Sequence, residues 1–338
     1  MKKYHIRFIM QNLLILFLIL SMAIIILIIT PPFRSKSVEV KIKSGSSLRD
    51  VAQELHNSHV IPSSRIFELY VRAIGSERSI KSGTYRFMPF ESPIAAASKL
   101  IRGYYITQKV VIPEGRTARQ IATILESNNV INAEAFLEAV NDTELAKSLG
   151  IPASSCEGYL FPDTYFFNPQ CDSRELVSQM VAGFNDAIER IEGTKTKLLN
   201  PQSLHQRVIL ASIIEREYRL PEDAPLIASV FFNRLQRNMP LQSCATVVYV
   251  MTEHLGKEEP SVVHYGDLKI QDPYNTYINR GLPPGPISNP GEISLRAALF
   301  PPQTDYLYFR LDDVNTGKHR FSHTLEEHNY VEIIPKGL

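Results

Sequence analysis

An internal repeat is the feature that most constrains the fold of this 338-residue chain. The segment IKSGSSLRDVAQELHNSHVI (42–61) matches IPEGRTARQIATILESNNVI (112–131), and every matched pair is 70 positions apart, as Gly45 and Gly115 are. Each copy predicts a strand that ends at a glycine turn, then an amphipathic helix and a second short helix. A Ser or Thr stands where the first helix would be capped. Such a constant offset indicates a duplicated small module rather than chance similarity.

This layout resembles the LysM fold, a small module that holds N-acetylglucosamine-containing glycans. We expect a LysM-like α/β module over residues 36–105 and a second LysM-like repeat unit over 106–150. The alternative is that both units are spacers or docking modules that bind no sugar. Strands are also predicted at 82–87 and 108–112, with a helix between them that Gly103 closes.

The N-terminus carries a long apolar run. Residues 8–30 contain no charged side chain, which predicts a transmembrane signal-anchor helix. Lys2, Lys3 and Arg7 in residues 1–7 predict a cytoplasmic tail, so the rest would lie outside the cytoplasm. The expected location is therefore the inner (cytoplasmic) membrane, with a single pass and an extracytoplasmic or periplasmic catalytic domain. A cleaved signal peptide is the alternative, although its cleavage-like Ser-Met-Ala lies inside the apolar run.

Composition excludes several other classes of protein. The net charge is +1, and no phosphate loop, dinucleotide fingerprint or zinc-protease motif is present, so no nucleic-acid partner and no cofactor are expected. Three cysteines make no disulfide framework. An oxidising compartment would permit a bridge between Cys156 and Cys171, although the sequence does not fix their separation.

The C-terminal half concentrates aromatic and amide side chains in two segments. EGYLFPDTYFF (157–167) and QDPYNTYINRGLPPGPISNPG (271–291) combine tyrosines with acids, amides and turn formers. Aromatic faces beside amides suit a carbohydrate groove, because sugars offer apolar ring faces and hydroxyl edges. The alternative is that these tyrosines anchor the loops to the core.

A predicted helix ends in acids at ILASIIEREYRLP (209–221). Small residues behind Glu215 leave room for a ligand, whereas bulky isoleucines stand behind Glu217. A carboxyl near a helix C-terminus and against apolar neighbours holds its proton tightly, which suits a general acid. A solvated helix end is the alternative.

Together these segments resemble the endolytic murein transglycosylases (YceG-like). The motifs that carry the resemblance are ASIIEREY, ASVFFNRL, MPLQSCATVVYV, YNTYINRGLPPGPISNPG, SLRAALFPPQTDYLYF and FSHTLEEHN. The resemblance implies a catalytic transglycosylase domain over 151–338, with Glu215 as the catalytic acid. It also implies a membrane-anchored enzyme that cuts nascent peptidoglycan strands beside penicillin-binding proteins and the elongation machinery. One departure is Cys244, where many members carry Asp; we interpret this cysteine as a small core residue.

The implied chemistry cleaves the β-1,4 bond between N-acetylmuramic acid and N-acetylglucosamine. One Glu donates a proton and then takes one from the muramic acid 6-hydroxyl, which forms a 1,6-anhydro end. A lysozyme-type hydrolase and a non-catalytic glycan-binding scaffold remain as alternatives. No metal is expected. The fold class expected is α+β, with a hairpin near YLYFRLDD (306–313). The candidates for lining the groove are Glu157, Tyr159, Glu217, Gln242, Thr246, Tyr274, Asn275, Tyr277 and Asn289.

Overall fold

The computed structural model describes residues 2–30, 32, 35–104, 106–167, 172–193, 200–313 and 315–330. Their secondary structure is mixed α+β, as the sequence predicts. The chain divides into two compact units. The first comprises 1–108 and 166–172, and the second 109–165 and 173–338.

The first helix, α1, runs over Lys2–Ile29. A membrane span needs about 20 consecutive apolar residues in one helix. Among the residues that the structure describes, no helix meets that requirement of length and apolar character. The predicted transmembrane anchor over 8–30 and the single-pass inner-membrane location are therefore wrong.

The remainder of the first unit is a small module around a two-stranded sheet. Strands β1 and β2 pair antiparallel, with Val40 opposite Tyr85, and α2 and α3 lie between them in the chain. Both of these strand residues are buried, and they join Leu55, Phe67 and Leu100 in one apolar core. The elements of the module are β1 (Val38–Ile42), α2 (Leu48–Asn57), α3 (Ser64–Ala73), β2 (Gly83–Phe87) and α4 (Pro93–Arg102).

The second unit begins with the repeated segment, and the predicted strand, glycine turn and two helices are present in both copies. These elements are β3 (Gln108–Val111), α5 (Ala118–Ser127) and α6 (Ala133–Val140). Gly45 and Gly115 have φ of +76° and +72°, a conformation that favours glycine. Ser47 and Thr117 each cap the helix that follows through a reciprocal capping box. The predicted closure of α4 by Gly103 is also confirmed, since this glycine is left-handed at φ +76°.

The rest of the second unit is a helical assembly with an antiparallel hairpin. Helix α9 packs against α10 and α12, and α12 also contacts α8. The hairpin predicted near 306–313 is confirmed, because β5 pairs antiparallel with β6 and Phe309 lies opposite Phe321. The elements are α7 (Thr143–Ser148), β4 (Thr164–Phe167), α8 (Ser173–Glu192), α9 (Pro201–Ile214), α10 (Ala224–Gln236), α11 (Cys244–Tyr249), α12 (Glu292–Leu299), β5 (Tyr308–Asp313), β6 (Lys318–Ser322) and α13 (Leu325–Asn329).

Candidate active site

Helix α9 delivers two carboxyl groups in different directions. The helix ends at Ile214, and the backbone N–H groups of Arg216 and Glu217 then donate to the carbonyls of Ile213 and Ile214 at 3.0 Å, which tightens the last turn. Glu215 accepts a bond from the Gly291 backbone N–H at 2.9 Å, whereas Glu217 accepts one from the Ser243 hydroxyl. Two residues that are neighbours in sequence therefore have separate surroundings.

A cavity of about 590 Å³ opens beside Glu217. Its wall combines arginines and histidines with tyrosines and apolar side chains, a mixture that suits a polar ligand with apolar faces. Glu217 is the one carboxyl residue among the described residues of its lining. The lining comprises Arg216, Glu217, Tyr218, Arg219, Arg234, Leu241, Gln242, Cys244, Tyr277, Tyr308, Phe309, Arg310, Leu311, His319, Leu325 and His328.

The electrostatic surroundings of Glu217 favour a retained proton. Burial raises the pKa of this carboxyl above its ordinary value, and the Ser243 hydroxyl, the His319 charge and the Arg216 charge oppose that rise. His319 is itself fixed, because its Nδ1 lies 2.9 Å from the Asp223 carboxylate. A desolvated carboxyl with one hydroxyl donor and access to a cavity has the character of an acid–base group.

Glu215 lies apart from this cavity. Burial raises its pKa, the Gly291 N–H opposes the rise, and the nearby Glu114 charge adds to it. Part of the room predicted beside Glu215 is taken up by the 286–291 loop, since Ser212 is fully buried and its hydroxyl accepts the Ile287 N–H at 3.0 Å. Glu215 itself is partly exposed, and its contact with a ligand stays a prediction.

Two further predicted groove residues line the cavity with Glu217. Gln242 is exposed, adopts φ +53°, and its backbone N–H donates to the Thr276 carbonyl at 3.1 Å. Tyr277 lies in the same wall, with its hydroxyl 3.0 Å from the Cys244 sulfur. These contacts agree with the placement of both residues in a groove, while their contact with substrate stays a prediction.

Three other predicted groove residues are buried and use their polar atoms within the protein. The Asn275 amide donates to the carbonyls of Leu268 and Ile270 at 3.0 and 2.9 Å. Asn289 accepts the backbone N–H groups of Gly158 and Leu160 at 2.8 and 2.9 Å. The Thr246 hydroxyl donates to the Ser243 carbonyl at 2.7 Å. These side chains brace the loops around the site and lie outside the cavity lining.

Glu157, Tyr159 and Tyr274 also lie outside the lining. Glu157 accepts the Ala118 backbone N–H at 2.9 Å at the start of α5, and burial raises its pKa to about 8. The buried Tyr159 hydroxyl lies 2.8 Å from His205 Nδ1. The Tyr274 ring packs 5.1 Å from that of Tyr249. For these three residues the geometry favours the alternative in which the aromatic segments anchor loops to the core.

Cys244 differs from its predicted setting. It is exposed and lines the cavity, with its sulfur 3.0 Å from the Tyr277 hydroxyl. The prediction of a buried core residue is wrong, because the polar loop before α11, and not the apolar run after Cys244, decides where this side chain lies. The predicted Cys156–Cys171 bridge depends on a residue outside the described ranges.

Sequence reasoning missed several residues that line the cavity or contact Glu217. Ser243 and Arg234 stand inside the quoted motifs LQSCAT and FFNRL, yet neither was singled out. His319 lies on β6, distant in sequence from both. A hydroxyl next to Gln242 was a usable signal for Ser243, whereas only the tertiary fold brings His319 to Glu217.

Within the described residues, no group of three or more His, Cys, Asp or Glu side chains could hold a metal ion.

The fold and cavity define an α+β protein with a carboxyl group, Glu217, in the wall of a ligand-sized cleft. The chain belongs to the YceG-like family, whose model matches residues 40–332. It is 35% identical over 314 residues to the endolytic murein transglycosylase of Bacillus subtilis, covering 87% of this chain and 83% of that protein. A second relative with that description, from Streptococcus pneumoniae, is 29% identical and matched over 57% of its length and 87% of this chain. A crystal structure of a yceG-like protein from Listeria monocytogenes aligns at TM-score 0.57 and 37% identity, covering 87% of this chain and 99% of that one.

Proposed function

We propose that this protein is a peptidoglycan lytic transglycosylase of the endolytic type. It cleaves the β-1,4 bond between N-acetylmuramic acid and N-acetylglucosamine within glycan strands and leaves 1,6-anhydro-muramic ends. Family membership and the names of the relatives support a murein-cleaving enzyme. The observation that carries the reaction type is the single carboxyl, Glu217, in the described lining of the cavity.

A single carboxyl suits lytic chemistry better than hydrolysis. Glycoside hydrolases generally place a second carboxylate near the bond, either to attack it or to activate water. A lytic enzyme needs one group that first protonates the leaving oxygen. The same group, now ionised, takes the proton from the muramic acid 6-hydroxyl while that oxygen attacks the anomeric carbon. The lysozyme-type hydrolase is therefore the second candidate, and it would require a partner carboxylate from elsewhere.

We assign the general acid to Glu217, although the motif resemblance favours Glu215. Glu217 lines the cavity, and burial raises its pKa, so a protonated fraction persists nearer to neutral pH. The Ser243 hydroxyl, on the other hand, can stabilise the ionised form after proton donation. The Glu215 carboxylate instead accepts a hydrogen bond from the Gly291 backbone N–H at 2.9 Å, and Glu215 is not among the residues that line this cavity.

The two glutamates give a matched test on purified glycan strands. Glu217→Gln removes the proton donor and should lower turnover by at least the 10²–10⁴-fold that general acid catalysis supplies. Glu215→Gln keeps the shape of the neighbouring carboxyl and should retain more than about a tenth of the wild-type rate. The reverse ranking would return the catalytic role to Glu215. Full activity in both variants would remove both carboxyls from the reaction, and a wild type that only binds strands would favour the glycan-binding scaffold.

We further propose that the LysM-like repeats, 36–105 and 106–150, hold the glycan strand. The matching strand, glycine turn and capped helices of both copies support this reading. The resemblance also favours penicillin-binding proteins and the elongation machinery as partners. Binding of Glu217→Gln to sugar strands, compared before and after deletion of 36–105, measures the contribution of the first repeat. Equal affinity of the two forms would identify that repeat as a spacer.

A further inference from the structure

The lining of the cavity has an excess of positive charge. Four arginines face one carboxyl residue, Glu217, among the described residues of the wall. Arg216 is compensated outside the lining, because its guanidinium lies 2.7 Å from the Glu259 carboxylate. The other three arginines of the lining are Arg219, Arg234 and Arg310.

Arg234 is a buried cation without a carboxylate partner. Its residue is 7% exposed, and its Nε and Nη1 donate to the carbonyls of Leu307 and Leu241 at 2.7 and 2.9 Å. Within the described part of the chain it makes no ion pair; its Nη1 also donates to Gln242 Oε1 at 3.4 Å, and its guanidinium lies 5.0 Å from the centroid of the Tyr308 ring. Burying a charge without a counter-charge is costly, and carbonyl dipoles offset only part of that cost. A ligand anion in the cavity would supply the missing charge.

Arg219 and Arg310 add positive charge to the wall of the cavity. Arg219 is exposed and has no ion-pair partner among the described residues. Arg310 donates to the carbonyls of His328 and Tyr330 at 3.0 and 3.1 Å. Its nearest carboxylate, Asp312, is 3.6 Å away and lies closer to Arg320, at 3.1 Å. Arg219 therefore has no carboxylate partner among the described residues, and Arg310 shares the Asp312 carboxylate with Arg320.

We infer that this cavity binds a carboxylate of the glycan strand through Arg219, Arg234 and Arg310, next to the bond that is cut. The inference rests on the proposed function. Neutral sugar rings would leave Arg219 and Arg234 without a carboxylate partner and Arg310 with only a shared one, whereas guanidinium and carboxylate groups form strong, charge-assisted bonds. N-acetylmuramic acid carries the lactyl group of the strand. That group ends in a free carboxylate on a peptide-free strand, or in an amide to a stem peptide that bears carboxylates of its own.

The alternative role for these arginines is to tie backbone segments together. The Arg234 guanidinium does donate to three backbone carbonyls, those of Pro240 and Leu241, which follow α10, and that of Leu307, which precedes β5. That role does not explain the absent carboxylate partner of the buried Arg234. It also predicts no preference for charged substrates, so substrate selectivity separates the two roles.

The test compares three defined strands: one with stem peptides, one stripped of peptide, and one stripped and then capped as a neutral lactyl amide. Wild-type enzyme should cleave at least one of the two carboxylate-bearing strands with kcat/KM about 10- to 100-fold above the neutral strand, as expected for charged hydrogen bonds. The better of those two identifies whether the peptide or the lactyl group supplies the carboxylate. The preference should shrink in high salt.

Arg219→Gln and Arg310→Gln, combined, should reduce that preference at least five-fold. Arg219→Gln alone should reduce it in the same direction, and it disturbs no described bond. Arg237→Gln is the matched control, because it removes an exposed charge next to α10 outside the lining and should leave the preference intact. Equal cleavage of all three strands by wild type, or an unchanged preference in the double variant, would overturn the inference and leave the proposed function standing. Failure of wild type to cut any strand would overturn the proposed function itself.

Discussion

Gly158 is a position where a single added methyl group should disturb the packing of the 286–291 loop against α9. This glycine has φ +87°, a left-handed conformation that L side chains rarely adopt. A Cβ built on it would lie 2.4 Å from Pro286 Cγ and 3.1 Å from Val208 Cγ1. The proline ring is rigid and belongs to the 286–291 loop, so the clash cannot be relieved by rotating a flexible side chain.

The expected cost of Gly158→Ala has two parts. Left-handed backbone strain contributes about 1–2 kcal/mol for a non-glycine residue. Overpacking against a rigid neighbour contributes typically about 1–3 kcal/mol more. The free energy of unfolding should therefore fall by about 2–5 kcal/mol, with the damage centred on the contact between Gly158 and Pro286.

Gly150→Ala is the control that isolates the clash. Gly150 has φ +79° and no heavy atom within 4 Å of its built Cβ, so that variant carries the strain without the overpacking. Calorimetry of both variants should show the Tm of Gly158→Ala lower than that of Gly150→Ala by roughly 2–12 °C, since 1 kcal/mol shifts Tm by about 2–4 °C at this domain size. Equal Tm values would refute the tight packing of the 286–291 loop on Gly158. Loss of glycan cleavage in Gly158→Ala alone would further link that packing to the site.

Three other predictions concern titration and reactivity. Burial raises the pKa of Glu157 from 4.5 to about 8, so the folded protein holds this proton more tightly than the unfolded chain does. The free energy of unfolding that comes from this difference is fully present below pH 4.5 and is lost as the pH rises to about 8. At about 1.36 kcal/mol per pH unit, this contribution to the free energy of unfolding is at most about 5 kcal/mol. Denaturant unfolding should show that Glu157→Gln loses less stability between about pH 5 and 8 than the wild type does. An identical loss of stability in both proteins would contradict the raised pKa of Glu157. Ser243→Ala removes a bond that lowers the pKa of Glu217, so the fall of kcat/KM on the basic side should move to higher pH; an unmoved limb would separate Ser243 from the acid. N-ethylmaleimide should modify the exposed Cys244 and slow cleavage, and the modification should be faster at higher pH, because partial burial raises the pKa of this thiol too. Cys244→Ser should resist inhibition, and the buried Cys156, whose pKa burial raises to about 11, should remain unmodified in peptide mapping. Equal inhibition of both proteins would contradict the placement of Cys244 in the cavity.

Local sequence signals predicted the secondary structure around the repeats well. Ser47 and Thr117 cap helices, and Gly45 and Gly115 adopt positive φ, because capping and glycine turns depend on a few adjacent residues. The hairpin near 306–313 also followed from a local strand pattern. The transmembrane helix was expected on the same local evidence, and that prediction is wrong.

The site was less predictable because its parts come from distant segments. Whether Glu215 or Glu217 faces a cavity depends on the 286–291 loop, which closes over Ser212 and holds Gly291 against Glu215. The exposure of Cys244 depends likewise on the loop before α11 and on Tyr277. Spacing along α9 describes which residues share a helix face, and it contains no information on which loop covers that face.

The most direct test of the central claim is the mass of the new ends released from purified glycan strands. Lytic cleavage closes the 1,6-anhydro ring without water, so muramic ends should be one water molecule lighter than reducing ends and should resist borohydride reduction. Glu217→Gln should release neither kind of end. Reducible muramic ends from the wild-type enzyme would contradict the single-carboxyl mechanism and identify the protein as a hydrolase.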